Sequence, residues 1–265
     1  MSASTITSAV GAPPDDRTHR NRWAILAVLC LTVLVVVLDG TIVNVTLPTL
    51  VTELGATNSQ LQWIVDSYVL VFAGLLIAAG IIGDRFGRKG VMQLGLVLFG
   101  GFSAMAALSD SPTELIGWRA AMGVGAALLF PATLAILVNV FREPKERAAA
   151  ISVWAATAGI AVAVGPVTGG FLLEHFWWGS VLMINVPVVA VAVFAIGRIV
   201  PTSRDTTIHR FDPLGMVLSI AGIGVLVWAV IEGPEHGWAS PTSIGAFALA
   251  TALLAAFVAW ERHID

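Results

Sequence analysis

Charge is what this sequence has least of. Asp, Glu, Lys and Arg make up 12% of its 265 residues, against 57% hydrophobic residues and a mean hydropathy of +0.88. Soluble domains carry about a quarter charged residues, and even a large one leaves much of its surface exposed. The scarcity therefore excludes a water-soluble fold and makes the lipid bilayer the solvent. Cysteine is nearly absent too. Cys30, alone inside an apolar run, excludes an internal disulfide framework and a cysteine-based zinc site. The histidines (His19, His175, His209, His236, His263) stand singly outside the apolar cores. No metal-ligand spacing, phosphate-binding glycine loop or nucleophile–base pair is present, so no metal, cofactor, enzymatic reaction or nucleic-acid partner is expected. The net charge of −3 says little, since placement matters more than the sum in a membrane protein.

What is there is apolar sequence in long runs. Residues 1–22 are polar, with Pro13-Pro14 and Asp15-Asp16, and read as a disordered cytoplasmic tail. They do not open a signal peptide, because the run after Arg22 is too long, holds an acid and lacks a small-residue cleavage site. Eight stretches reach the roughly 20 apolar residues that span a bilayer: 23–47, 61–82, 90–108, 113–140, 148–173, 179–200, 213–231 and 242–260. Between them fall turn residues such as Thr52-Glu53, Asp110-Ser111-Pro112 and Gly233-Pro234-Glu235.

The basic residues test that count, since Lys and Arg favour the cytoplasmic side. Thirteen of the 14 fall on one side if both termini are cytoplasmic: Arg17, Arg20 and Arg22, then Arg85, Arg88 and Lys89, then Arg142, Lys145 and Arg147, then Arg198, Arg204 and Arg210, and finally Arg262. The opposite loops carry no Lys or Arg. The exception, Arg119, lies inside a span. Miscounting by one span would scramble the pattern.

Between the second and third spans the chain reads Gly80-Ile-Ile-Gly83-Asp84-Arg85-Phe86-Gly87-Arg88-Lys89. Glycines permit a tight turn and positive φ, and the cations hold the loop inside. Asp84 closes a helix whose C-terminal dipole it opposes, so it needs a cation or another helix's N-terminus. An ordinary basic stop signal explains the Arg and Lys but neither Asp84 nor the glycines.

This loop resembles the signature loop of the major facilitator superfamily, and four further segments agree. Leu38-Asp39-Gly40-Thr41-Ile42-Val43-Asn44-Val45-Thr46-Leu47-Pro48 is similar to the first-helix motif of the fourteen-helix drug:proton antiporters. Arg119-Ala-Ala-Met122-Gly123-Val-Gly125-Ala-Ala-Leu-Leu-Phe-Pro131 resembles their fourth-helix motif, with Met122 where the family often has Gln. Gly165-Pro166-Val-Thr-Gly169-Gly170 resembles the fifth-helix antiporter motif, followed by Asn185-Val-Pro187. Phe211-Asp212-Pro213-Leu214-Gly215 and Trp260-Glu261-Arg262 resemble segments bordering the linker helices. The resemblance covers about residues 20–265. It implies an all-α polytopic membrane protein of the cell membrane, with an N-terminal six-helix bundle over 23–200 and linker helices 7 and 8 over 201–265. Family members continue into a second bundle, which is absent here because the chain stops at Asp265. Substrate binds between the two bundles in transporters of this kind, so this chain supplies one wall and needs the missing bundle or a second chain as partner.

Ionisable residues in hydrocarbon are functional by default, and three stand out: Asp39, Asp66 and Arg119. At 1.5 Å per residue they lie roughly 12, 9 and 9 Å from the outer ends of their apolar stretches, in one layer. If they face one cavity, like charge and desolvation raise at least one Asp pKa while Arg119 lowers its partner's. The expectation is that Asp39 carries an exchangeable proton, Arg119 modulates it and Asp66 contributes to proton or cation binding. The resemblance supports Asp39 and Arg119, which fall on family motif positions. The competing readings are that Asp39 caps Thr41 or Asn44 at a helix break, that Arg119 pairs with Glu114 or snorkels, and that Asp66 is merely solvated.

In the fifth span Pro166 removes a backbone donor, while Gly165, Gly169 and Gly170 give a flat face that seals against the opposite bundle or packs within the first. The function these readings favour is proton-coupled efflux of amphipathic drugs or other small organic compounds. The alternatives are an exporter of one metabolite and a non-transporting or partner-dependent membrane fragment.

Overall fold

A computed structural model describes residues 20–203 and 212–264. The expected tail, Arg17, Arg204, Arg210 and Phe211 lie outside the described residues, Arg20 and Arg22 apart. Within them the chain is helical, with no strand. The helices are α1 (Arg22–Leu54), α2 (Asn58–Phe86), α3 (Arg88–Ala107), α4 (Pro112–Val140), α5 (Pro144–His175), α6 (Ser180–Met183), α7 (Asn185–Ile199), α8 (Pro213–His236) and α9 (Pro241–Ile264). The short α6 and α7 form one span interrupted at Ile184, so eight helical spans are long and apolar enough to cross a membrane.

Local chemistry sets the ends. Gly55 closes α1 in the left-handed region at φ 67°, which glycine adopts without cost. Thr57 and Gln60 form a reciprocal capping box at the start of α2. Ser111 caps α4 ahead of Pro112, and Asp212 caps α8 ahead of Pro213, proline being suited to the first helical turn. Two expected turns move. Thr52-Glu53 belongs to the last turn of α1, and Gly233-Pro234-Glu235 to the end of α8. Polar residues do not stop a helix whose backbone bonds continue, so the true stops are Gly55 and Gly237.

Helix α4 is apolar on every side, as a central helix must be, and it packs against α2 and α3. Glycine lets the backbones meet. A methyl on Gly123 would stand 2.7 Å from the Tyr68 carbonyl, and one on Gly125 would stand 2.7 Å from the Phe99 amide. On the other flank α1 packs against α5. A methyl on Gly165 would collide with the Thr41 hydroxyl, and one on Gly169 would reach 2.9 Å from Ile42. Of the two readings of the fifth-span glycines, packing within the bundle describes Gly165 and Gly169, which meet α1, while Pro166 is exposed and Gly170 meets nothing within 4 Å. Helices α8 and α9 form a hairpin that docks on α2.

Contacts tie the basic ends together. Arg22 of α1 pairs with Glu146 of α5 at 2.8 Å. Gly87, with φ 106°, alone separates α2 from α3. Across it Arg88 pairs with Asp84 at 2.8 Å and donates to the Ala135 carbonyl of α4. Lys89 donates to the Gly197 carbonyl of α7 at 3.0 Å. Asp84 thus has the cation its place at a helix C-terminus demands. Arg85 is exposed beside Phe86, and Gly83 is buried although a methyl there would meet nothing within 4 Å.

Candidate functional site

Asp39 sits midway along α1, deeper than its apolar stretch suggested, because α1 runs on to Leu54. Both Asp39 and Arg119 of α4 are 0% exposed. Arg119 Nη1 donates to Asp39 Oδ2 at 2.5 Å, and Arg119 Nε donates to the Ile64 carbonyl of α2 at 3.1 Å. The guanidinium lies over the Tyr68 ring, 4.4 Å from its centroid, with the Met122 sulfur 3.9 Å from Nη1. The cation therefore has a carboxylate, a carbonyl and an aromatic face, the set of partners a buried guanidinium needs.

The second carboxylate oxygen is also occupied. Asn185 Nδ2 donates to Asp39 Oδ1 at 2.8 Å and reaches Ser103 Oγ at 3.0 Å. Ser103 in turn donates to the Leu182 carbonyl at 2.8 Å. Asn185 opens α7 just after the interruption at Ile184, and Leu182 lies just before it. Asp39 is thereby linked to both sides of the break in the sixth span. Tyr68 is anchored by donating to the Val36 carbonyl of α1 at 3.2 Å.

Three buried polar atoms near this network have no hydrogen-bond partner among the described residues: Arg119 Nη2, Asn185 Oδ1 and Thr46 Oγ1. Arg119 and Thr46 both border a cavity of about 10 Å³ between α1, α2 and α4, close to the minimum that holds one water.

The competing readings of the two charges do not describe this arrangement. α1 runs unbroken through Gly40, and Asn44 donates to the Gly40 carbonyl rather than to Asp39. Glu114 accepts from Trp118 and from the Asp110 amide at the end of α4, leaving Arg119 to Asp39.

Asp66 is not brought into this network. It is two residues beyond Ile64 and so points to a different side of α2. There, half-buried, it borders a groove between α2 and α8. No hydrogen bond or ion pair joins it to a described residue. The sequence placed the three residues in one layer, but which face each takes was not legible in it.

Asn185, Ser103 and Tyr68 are the members that sequence reasoning missed. Asn185 was visible as the polar residue of an otherwise apolar Asn-Val-Pro segment, and that was its signal. Ser103 and Tyr68 carry none, because a serine in a small-residue helix and a lone tyrosine are both common packing residues.

Comparison with known proteins matches residues 29–262 to the family model described as Major Facilitator Superfamily. The chain is similar to the multidrug efflux pump LfrA of Mycolicibacterium smegmatis, 39% identical over 95% of this chain and 50% of that protein. It is 37% identical to the puromycin resistance protein pur8 of Streptomyces alboniger, over 100% of this chain and 52% of that one. With the methyl viologen resistance protein SmvA of Salmonella typhimurium it shares 42% identity over 78% of this chain and 42% of that one. The chain spans about half the length of the curated relatives it matches. Among solved structures, a POT family transporter in complex with a thioalcohol conjugated peptide superposes with a TM-score of 0.60 at 16% identity, over 80% of this chain and 47% of that one. At that identity the likeness bears on the fold alone.

Proposed function

The chain belongs to the major facilitator superfamily, and from that membership we propose that it forms the first bundle and linker pair of a fourteen-helix, proton-coupled exporter of amphipathic organic compounds. It is an integral membrane protein of a transporter family. In this reading both termini face the cytoplasm of a cell-membrane transporter, residues 23–200 form one wall of the substrate cavity, and a second bundle supplies the other. The relatives that carry drug-efflux and resistance names support the substrate class.

The observation that carries the coupling is the sealed Asp39–Arg119 pair, with both side chains 0% exposed. While Asp39 is ionised the pair is neutral as a unit. A proton on Asp39 removes the counter-charge, and a buried charge stripped of its partner costs about 3–5 kcal/mol. That is about two to nearly four orders of magnitude in a conformational equilibrium, enough to favour a state in which Arg119 reaches water or a new partner. Protonation and rearrangement are then one event. Asn185 extends it to the interrupted sixth span, and the water-sized cavity beside Arg119 is the nearest place for an incoming proton carrier. Asp84, Arg88 and Lys89, with the turn at Gly87, hold α2, α3, α4 and α7 together at the basic end, so the bundle moves as one body.

The test is drug-induced collapse of an imposed pH gradient in everted vesicles carrying the whole transporter. Asp39→Asn should insert normally and lose the drug-dependent proton flux. Undiminished pH-driven export in that variant would overturn the assignment.

A further inference from the structure

Helix α9 stands at the edge of the molecule. It packs on α8, which in turn docks on α2, and much of its remaining surface is exposed. At Gly222 the two linker helices approach so closely that a methyl there would stand 2.8 Å from Leu254. Beside that contact runs a groove of about 530 Å³. The small side chains of Ala250, Ala255 and Ala259 leave room along it, and Leu226 of α8 and Val258 of α9 flank them. Thr251 also borders it, but its hydroxyl donates to the Phe247 carbonyl at 2.8 Å. The groove is therefore apolar along its length and carries charge at one end, where Arg262 closes it.

Its length is that of one leaflet. From Ala250 to Arg262 is about 18 Å along the helix, and half of a hydrocarbon core of about 30 Å is about 15 Å. Ala250 lies near the middle of α9 and Arg262 in its last turn, so the groove runs from mid-membrane to one interface. Trp260 marks that interface, with its indole donating to Asp212 at 3.0 Å. The Arg262 guanidinium is exposed, and no ion pair or hydrogen bond joins it to a described residue. The nearby acids are engaged elsewhere, Glu261 against Gly215 at the start of α8 and Asp212 as the cap of that helix. A spanning protein helix would need a partner surface across both leaflets, whereas this groove stops at mid-membrane. A lipid tail needs only one leaflet, and a cation at the headgroup end favours a lipid whose headgroup is negative.

We propose that the α8–α9 groove holds one tail of an anionic phospholipid, with Arg262 binding its headgroup phosphate. The lipid belongs to the inner leaflet. That placement rests on the topology of the exporter reading, and the groove itself does not. Bound there, the lipid braces α9, the least buried of the eight spans.

Native mass spectrometry of the chain, taken from detergent holding equal amounts of phosphatidylglycerol and phosphatidylcholine with the same tails, tests it. One phosphatidylglycerol should stay bound in preference to phosphatidylcholine. Arg262→Gln should reduce that preference about fivefold, the scale of one basic residue at a membrane surface. Ala255→Trp fills the groove from an exposed position and leaves the cation, and should lose both lipids. Arg198→Gln removes a cation outside the groove, one that lies over the Phe194 ring at 4.6 Å, and should change nothing. Equal losses in Arg262→Gln and Arg198→Gln would mean diffuse surface charge and overturn the site. Full lipid binding in Ala255→Trp would mean that no tail enters the groove, and would overturn it as well. A lipid held by the chain but missing from the whole transporter would make the groove the seat of the second bundle instead. A dimer of the chain that Ala255→Trp abolishes would make it a contact between copies, and either result overturns the lipid site. His263→Cys should react with an impermeant maleimide in everted vesicles and not in intact cells. The reverse would overturn the inner-leaflet placement and the exporter topology while leaving the groove in place.

Discussion

Helix α2 presents acids with two opposite environments. On one side its Ile64 carbonyl and Tyr68 ring hold Arg119 against a fully buried Asp39. On the other, Asp66 stands in an open aliphatic groove without a partner. Residues 64 and 66 are separated by only two positions, yet by about 200° around the helix. The difference shows that depth in a membrane does not fix the role of a charge. A carboxylate whose oxygens are both occupied is part of the packing and can be released only by a change of state. A carboxylate with free oxygens is open to a ligand.

The largest expected effect breaks that contrast at its core. Asp39→Asn leaves Arg119 buried without a counter-charge and should cost about 3–5 kcal/mol of stability, read by unfolding in mixed micelles. Replacing both members, as Asp39→Leu with Arg119→Met, should recover much of that loss, since exchanging a buried pair for apolar groups is often close to neutral. Asp66→Asn should change stability by no more than about 0.5 kcal/mol, as for substitutions outside packed networks. If Asp39→Asn and Asp66→Asn prove equally mild, the two environments are not different in kind.

Next come the glycines that set the two seams. Gly125→Ala drives a methyl into the Phe99 amide and the Gly95 carbonyl, backbone atoms of α3 that have no rotamer to escape into. It should cost about 1–3 kcal/mol by overpacking. Gly74→Ala meets only the side chain of Ile220, which can turn aside, and should cost less. The same assay reads both, and the reverse order would mean that the α2–α8 seam is the more tightly built.

Asn185→Leu should be of similar size, losing a hydrogen bond to the Asp39 carboxylate worth about 1.5–3 kcal/mol. Ser103→Ala removes only the support behind it and should cost less. Unfolding measurements on the Asp39→Asn background check the assignment. There the Asn185→Leu penalty should shrink, because the charge that Asn185 serves is gone.

Much of this architecture was legible in the residues, and what was not has a physical cause. The spans were readable because hydrocarbon demands long apolar helices, and the arrangement of Lys and Arg fixed their number. That Asp39 and Arg119 belong together was expected from ionisable residues in one layer, but that layer also held Asp66, so the direct pair was not singled out. The helix ends were read short at Thr52-Glu53 and Gly233-Pro234-Glu235, because hydropathy marks the hydrocarbon boundary rather than the end of backbone hydrogen bonding. The direction of Asp66 was missed because depth is one-dimensional, whereas facing depends on which neighbour packs where. The fifth-span glycines left two readings open for the same reason, since a small-residue face does not say which helix it meets, and here Gly165 and Gly169 meet α1.

The smallest effect concerns the far end of the α8–α9 hairpin, where the groove-forming helix begins. Asp212 caps α8 by accepting from the Gly215 amide at 3.0 Å, and it also accepts from Trp260 Nε1 of α9 at 3.0 Å. Those donors, the Gly215 N–H foremost and then the indole, hold its carboxyl below the usual carboxylate range. A depressed pKa means that the ionised form is favoured by the folded hairpin. The contribution is thus complete above about pH 4, the unfolded value, and is lost as pH falls through the lower folded value. Amide exchange at Gly215 should therefore stay slow at neutral pH and become less protected, relative to neighbouring amides, only under acid conditions. Asp212→Asn keeps an effective N-cap but has no proton to take up, so its relative protection should be flat across the same range. If that variant shows the same acid loss, the release comes from elsewhere in the hairpin.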